Sequence, residues 1–420
     1  MDITFAIDAA VQSATVAAEK RCQPVFDAIN QTSEANTQKV LSAFIRHKVA
    51  SYHLSGSTGY GYNDIGRETL EAVFADITGC EAALYRHQFM SGTHALTVAL
   101  FGLLRPGDLL LCGSGVPYDT IHTLLGLNRK TGEGSLPEYG IGVKVVPLAA
   151  DGTPDLPALL SAIHTMRPKV LYLQRSRGYT LRPSLTVEQL GQIAAAAKKA
   201  DPSIRVVVDN CYGEFVEQRE PTDVGADLIV GSLIKNPGGG IAKTGGYIAG
   251  SAPLVKACAN RLTAPGVGGE IGATLSELRD LFLGLYLAPH VVEEALKSAV
   301  FAASLLDLLG YPADPGYDQP RTDIIQSLRL GTPDKLIAFC QGIQAGSPVD
   351  SFAAPEPAPM PGYDHPVIMA AGSFTQGSSI ELSADAPLRD PFAVFLQGGV
   401  NYHASKLAIC LAASKVLSIS

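Results

Sequence analysis

The 420-residue sequence predicts an α/β fold, with a large domain built on a mostly parallel sheet and a smaller C-terminal α+β domain. Three observations predict it. Short apolar runs rich in β-branched residues alternate with helix-length segments from about residue 82 to residue 262. "KVLYLQR" and "IRVVVDN" are apolar at consecutive positions, as strands covered on both faces are. Hydrophobic residues make up 46% and charged residues 17%, so a large core is available.

Each element follows from local pattern. "EANTQKVLSAFIRHKVA" sets Val40, Leu41, Phe44, Ile45 and Val49 near helical spacing, within a helical arm expected over 1–62. The Gly- and Tyr-rich loop "LSGSTGYGYNDIGRE" closes that arm. Leu70, Val73, Phe74 and Ile77 then form one helical face, and Gly79 supplies a stop. From there "AALYRHQ", "DLLLCG", "GVKVVPL", "KVLYLQR", "IRVVVDN", "ADLIVGSLIKN" and "GGYIAG" read as strands. "SGTHALTVALFGLL", "DLPALLSAIH" and "TVEQLGQIAAAAKKA" read as helices among them, and "SAPLVKACANRL" opens a helix-rich section. The large domain is expected over 63–288 and the small one over 289–420, opening on a linking helix, "VVEEALKSAVFAASLLDLLG". "AAPEPAPMPGYDHP" reads as a proline-rich loop.

The totals exclude whole classes. Net charge is −8 with no basic stripe, which argues against nucleic-acid binding. No apolar run nears the ~20 residues that span a bilayer. "MDITFAIDAA" lacks a secretory pattern, and seven dispersed cysteines without C-x-x-C spacing fit reduced thiols and no metal. A cytoplasmic protein acting on a small molecule is expected.

The chemistry concentrates at strand ends. Ser91-Gly92-Thr93 turns from a strand into an apolar helix; it is either a phosphate cup or an ordinary N-cap. "GSTGYGYNDIG" carries several glycines but follows no strand, so the dinucleotide fingerprint is not met. Around Lys243–Thr244 a phosphate loop would need glycine where Ala242 and Pro237 stand. Lys243 therefore reads as a solvated lysine. Asp209 ends a buried strand, where it could bind a sugar hydroxyl, hold Mg²⁺, pair with a cationic ring nitrogen or cap a turn. Lys235, just past another strand end and three residues after Ser232, is placed to form an imine with an aldehyde, or else snorkels at the sheet edge.

Taken in order, Ser91-Gly92-Thr93, Tyr118, Asp209 and Ser232-x-x-Lys235 resemble the fold-type-I (aspartate aminotransferase-like) pyridoxal 5'-phosphate (PLP) enzymes of the Cys/Met-metabolism group. Within that group the stretches "GSTGYGYNDIGRETLE", "SGTHAL", "QRSRGY", "VVVDNCYGEF", "GSLIKNPGGGIAKTGGYIAG" and "QGSSIELSADAPLRDPFAVFLQGG" resemble the methionine γ-lyase-like, aluminium-resistance (cystathionine β-lyase-like) proteins. The resemblance runs from about residue 40 to the C-terminus and implies a set of roles. Lys235 would hold PLP as a Schiff base, Asp209 would keep its ring nitrogen protonated, and Tyr118 would stack on the ring. Ser91, Gly92, Thr93 and Ser232 would bind the phosphate. Tyr60 and Tyr62 would reach a neighbouring subunit's phosphate site, making the protein a dimer or a dimer of dimers (a homotetramer).

The resemblance further implies a lyase that eliminates a β- or γ-leaving group from an amino acid, a sulfur amino acid by family expectation. Lys235, desolvated near the cationic cofactor, would act as base with a depressed pKa, and Tyr118 or a water as acid. Where related enzymes carry an arginine for the substrate carboxylate, this chain has Glu381, leaving Arg389 and Arg177 as candidates. γ-Replacement, transamination, aldol cleavage and a non-enzymatic PLP-fold regulator share the same Asp and Lys. A nucleotide-binding protein using Lys243 is the alternative outside this fold.

Overall fold

The structure, a computed structural model, describes residues 5–128, 132–360 and 365–419. The chain folds as two compact units: Asn36–Leu287, and Met1–Ala35 together with Ala288–Ser420. In chain order, α1 (Ala9–Arg46) is followed by α2 (Ile65–Ile77), β1 (Ala82–Arg86), α3 (Gly92–Leu103), β2 (Leu109–Cys112) and the single turn α4 (His122–Leu125). Next come β3 (Gly142–Val145), α5 (Leu156–Met166), β4 (Val170–Gln174), α6 (Val187–Ala200), β5 (Arg205–Asp209), β6 (Leu228–Ser232), β7 (Gly246–Gly250) and α7 (Ala252–Leu262). The remainder is α8 (Leu278–Leu308), β8 (Ala313–Asp314), β9 (Gln326–Arg329), α9 (Pro333–Ala345), β10 (Val367–Ala370), β11 (Ser383–Pro387), β12 (Ala393–Gln397) and α10 (Tyr402–Leu417).

The first unit carries a seven-stranded sheet in the order β1-β7-β6-β5-β4-β2-β3. Strands β2 to β6 pair in parallel, and β7 lies antiparallel between β1 and β6. The expected mostly parallel sheet is therefore present. The link from β6 to β7 contains no crossover helix, so β7 returns antiparallel. Leu171, Tyr172, Val207, Val208, Ile229 and Val230 are all fully buried, the signature of central strands covered on both faces. Side-chain caps start the helices that follow the strands. Ser91 Oγ accepts from His94 N–H (3.1 Å), and Asp155 Oδ1 from Ala158 N–H (3.0 Å). Thr186 and Gln189 form a reciprocal capping box at α6. In register, Gln174 faces Asp209 and Asp209 faces Val230. Strands β4, β5 and β6 thus end close together, and their carboxyl ends form the edge where a parallel sheet binds ligands.

The second unit has a five-stranded sheet in the order β10-β11-β12-β9-β8, antiparallel throughout. Phe339, Ile343, Val394, Leu396 and Ile409 form part of its core. Part of the proline-rich loop, residues 361–364, lies outside the described residues. The helix expected from Val291 starts earlier, at Leu278, and runs through Pro289. An internal proline costs a helix about 3 kcal/mol. Leu281, Phe282, Leu285, Ala288 and Val292 are all buried at helical spacing, and burying such side chains gains about 1.5–3 kcal/mol each for the larger ones, which outweighs that cost. Among the described residues no helix is long and apolar enough to cross a membrane.

Helices α9 and α10 meet through Gly342, where a Cβ would stand 2.3 Å from Ala412 Cα. Gly342→Val should wedge the two helices apart and cost about 3 kcal/mol, read as a lower urea midpoint.

Candidate active site

The edge formed by β4, β5 and β6 carries Asp209 at the end of β5 and Lys235 just past β6. Asp209 is the last residue of β5 and is buried. Both of its carboxylate oxygens are engaged: Tyr172 O–H donates to Oδ2 (3.1 Å) and Cys211 N–H to Oδ1 (3.1 Å). Tyr172 lies one strand over, on β4, and is fully buried. Burial and the adjacent Asp209 push its phenol well above the ordinary range, so it stays protonated and donates. Burial, with Asp209 beside it, likewise keeps the Cys211 thiol protonated.

Lys235 follows β6 in extended conformation. Its Nζ stands 3.9 Å from the centre of the Tyr212 ring. Burial opposes its charge, but the groups that face it, Asp209 foremost among those that are ionised, hold the ammonium above the usual lysine value. Cys211 is itself neutral, so Asp209 is the anion that matters most. The depressed pKa expected for a base is therefore not what the protein groups alone produce. The glycines after Lys235 make a tight turn. A Cβ at Gly238 would sit 1.7 Å from the Leu233 carbonyl oxygen, so only glycine fits there. Tyr85 O–H donates to the Pro237 carbonyl (2.9 Å) and Asn236 Nδ2 to the Glu214 carbonyl (3.0 Å), pinning that turn.

Ser91 caps α3 with its hydroxyl, as the ordinary reading of that motif expects. Gly92 and Thr93 occupy the first turn, where backbone N–H groups have no partner within the helix. A Cβ on Gly92 would press to 3.1 Å of Ser232 Cβ and 3.6 Å of Cys211 Sγ. The helix start, the end of β6 and the turn after β5 therefore meet at one point. Thr93 Oγ1 lies 3.2 Å from Thr120 Oγ1, next to the Tyr118 segment.

Tyr118 N–H donates to Gln174 Oε1 (2.7 Å), and its ring meets Tyr179 edge-on at 5.7 Å. Arg177, two residues before Tyr179, is buried and its N–H is held by Ser184 Oγ (3.0 Å). Tyr60 and Tyr62 stack on each other (5.6 Å) and are 70% and 55% exposed. Arg389 stands on an exposed turn after β11, in the second unit. Glu381, in the same unit, accepts from the N–H groups of Phe374 (2.7 Å) and Thr375 (2.9 Å). Lys243 is a surface lysine paired with Asp280 (2.9 Å) and Glu277 (3.5 Å), which raise its pKa.

Over residues 11–417 the chain matches the family model for methionine gamma-lyase. The chain belongs to the methionine gamma-lyase family. The YnbB protein of Bacillus subtilis (strain 168) is 50% identical over 389 residues, covering 93% of this chain and 92% of that protein. A carbon-sulfur lyase involved in aluminum resistance from Clostridium novyi NT superposes with a TM-score of 0.94 at 46% identity, covering 98% and 96% of the two chains. At 18% identity and a TM-score of 0.64, the pyridoxal-5'-phosphate-dependent protein YhfS of Escherichia coli shares the fold over 93% of this chain and 97% of its own. The fold is the PLP-dependent type I fold, and the cofactor of this methionine gamma-lyase family member is PLP. The site fits that group: a lysine amine beside an oriented carboxylate, and a helix start free to take a phosphate.

Two groups escaped the sequence reading. Tyr212 has φ +72°, in the left-handed region. The only sequence signal was an aromatic residue three positions after Asp209. Glu214 is buried against Gly231, accepts from Tyr247 O–H (2.6 Å) and leaves its Oε2 without a hydrogen-bond partner. Burial raises its carboxyl to about 8, although the Tyr247 hydrogen bond pulls the other way.

Because folded Glu214 keeps a proton that the unfolded chain releases near pH 4.3, unfolding frees a proton between those values. Its contribution to stability is therefore full below the unfolded pKa and falls as pH rises, by at most about 1.4 kcal/mol per unit. Glu214→Gln should flatten that part of the slope in urea midpoints measured from pH 5 to 8.

Proposed function

We propose that the protein is a PLP-dependent carbon–sulfur lyase that eliminates a leaving group from the β or γ carbon of a sulfur amino acid. One observation carries the reading: Asp209 ends one strand and Lys235 follows the end of its neighbour in a chain of the methionine gamma-lyase family, with both Asp209 oxygens already oriented by donors. The bound cofactor supplies an electron sink for the pair left behind when a bond to the substrate α-carbon breaks.

The chain's own residues do the rest. Lys235 holds the cofactor through its side-chain nitrogen and, once released by the incoming amino group, takes a proton at Nζ. Asp209 presents its carboxylate to the ring nitrogen, steadied by Tyr172 O–H and Cys211 N–H. Gly92, Thr93 and Ser232 hold the phosphate; Ser91 adds to that cup by fixing the start of α3. Tyr118 covers one ring face and delivers a proton to the departing group. Arg389 and Arg177 are the two guanidinium candidates for the substrate carboxylate. Tyr60 and Tyr62, exposed and stacked, are suited to complete the phosphate site of a second copy, so the working enzyme is at least a dimer.

Purified protein should absorb in the visible range, and borohydride should bleach that band and fix the cofactor on Lys235. Lys235→Ala should lose the band's reducible imine and at least about 10³-fold in turnover. A wild type that stays colourless with PLP in excess would sink the reading. Incubation with methionine and cystathionine should release ammonia and a 2-oxo acid, whereas nitrogen transferred to an added 2-oxo acid would show transamination instead. Replacing the arginine that binds the substrate carboxylate by Met should raise KM about 10- to 100-fold with a smaller change in kcat, and the other replacement should not.

A further inference from the structure

Left-handed backbone is uncommon for a residue as large as tyrosine, and it persists only where the surroundings over-determine it. At Tyr212 (φ +72°) they do. The preceding turn is closed by Gly213 N–H donating to the Asn210 carbonyl (2.9 Å). Asn210 is bonded in turn to Arg175 Nη1 (2.8 Å) and to Glu220 (2.9 Å). The Arg175 guanidinium lies so close behind Gly213 that a Cβ there would stand 2.5 Å from it. This backing fixes the direction of the Tyr212 ring, and the ring face ends 3.9 Å from Lys235 Nζ.

We propose that Tyr212 is a positioning residue for Lys235, its ring face holding the protonated Nζ in one place at the end of β6. This rests on the reading of Lys235 as the cofactor lysine and base. The groups that face Lys235 are Asp209 at the end of β5, Cys211, Tyr212 and Glu214 in the turn that follows, and Tyr118 after β2. Cys211 is neutral and Glu214 keeps its proton to about pH 8. Asp209 is the remaining anion, and its oxygens already accept from Tyr172 and Cys211. The ring supplies what a second carboxylate would supply without competing for the proton.

A ring face attracts an ammonium and has little hold on a neutral amine. When Lys235 takes a proton from the substrate, a C–H bond breaks, an N–H bond forms and the electron pair stays with the carbon. The charged Nζ then rests on Tyr212. When the proton is handed on, the attraction ends and the arm is free to move. A carboxylate in the same place would hold both the ammonium and its proton.

The test reads Lys235 without cofactor. Cofactor-stripped wild type, Tyr212→Phe and Tyr212→Leu are acetylated with acetic anhydride across pH, and modification of Lys235 is followed by peptide mass spectrometry. Tyr212→Phe should keep the wild-type midpoint. Tyr212→Leu should lower it by about one unit, roughly tenfold more reactive at a fixed pH below the midpoint. A tetrafluorinated phenylalanine at position 212 keeps the shape but drains the ring face, and should also lower the midpoint even if the leucine variant folds poorly. With cofactor restored, the acid limb of the kcat profile should move in the same direction. An unchanged midpoint in the fluorinated variant overturns the proposal, as does a lowered midpoint with an unmoved kcat profile. Failure of the underlying reading is separately visible, because borohydride would then leave no cofactor on wild-type Lys235.

Discussion

A lysine partly withdrawn from water keeps its charge only if its neighbours offset the lost hydration, and the strand-end site is arranged around that constraint at Lys235. Asp209 supplies one full negative charge, and the Tyr212 ring supplies a softer attraction. Cys211 and Tyr172 stay neutral because burial disfavours their ionised forms. The site therefore holds one cation against one oriented carboxylate, with hydrogen-bond donors rather than further charges around the carboxylate. Any added anion, including a cofactor phosphate, must be met elsewhere, and the start of α3 is the local source of unpaired N–H groups.

Behind this site lies a second layer of buried polarity. Arg175 is fully buried and binds Glu217 (2.9 Å), Glu220 (3.4 Å) and Asn210 (2.8 Å). Glu220 accepts from Phe215 N–H (3.0 Å), and Asn36 Nδ2 donates to the Phe215 carbonyl (2.9 Å). Phe215, like Tyr212, is left-handed, at φ +62°. A segment with two such residues is costly in isolation. Arg175 braces that segment through Glu217, Glu220 and Asn210, and removing one partner would leave buried charge uncompensated. Arg175 and Arg177 therefore differ despite being two residues apart: the first is built into the scaffold beneath Asp209, while the second is buried with its N–H held by Ser184.

Much of the fold was legible because strands and helices leave periodic traces. The β-branched run before Asp209 marked a central strand, and "SGTHAL" marked a helix start. The antiparallel return of β7 was not legible, since direction depends on the path of a glycine-rich link and not on the strand's own pattern. Lys235 was separated from Lys243 by position relative to a strand end, and the Asp280 and Glu277 pairing of Lys243 accords with that separation. Tyr212 was missed because backbone φ and ring direction leave no trace in spacing. The groups that face Lys235 were not legible either, because Asp209, Cys211 and Tyr212 come round its amine only in the folded chain.

The sequence by itself determined the α/β alternation, the strand-end positions of Asp209 and Lys235, the Ser91-Gly92-Thr93 helix start and the family to which these belong. Each of these is local: periodicity, a cap, or a short motif read in order. Only the tertiary structure decided which groups face one another. It joined Tyr172 to Asp209 across two strands, brought Gly92 against Ser232 and Cys211, turned the Tyr212 ring toward Lys235 and buried Glu214 with its proton. The reason is physical: charge state and hydrogen bonding depend on distance and burial, and residues as far apart in sequence as Tyr172 and Asp209, or Tyr212 and Lys235, acquire both only when the sheet has formed.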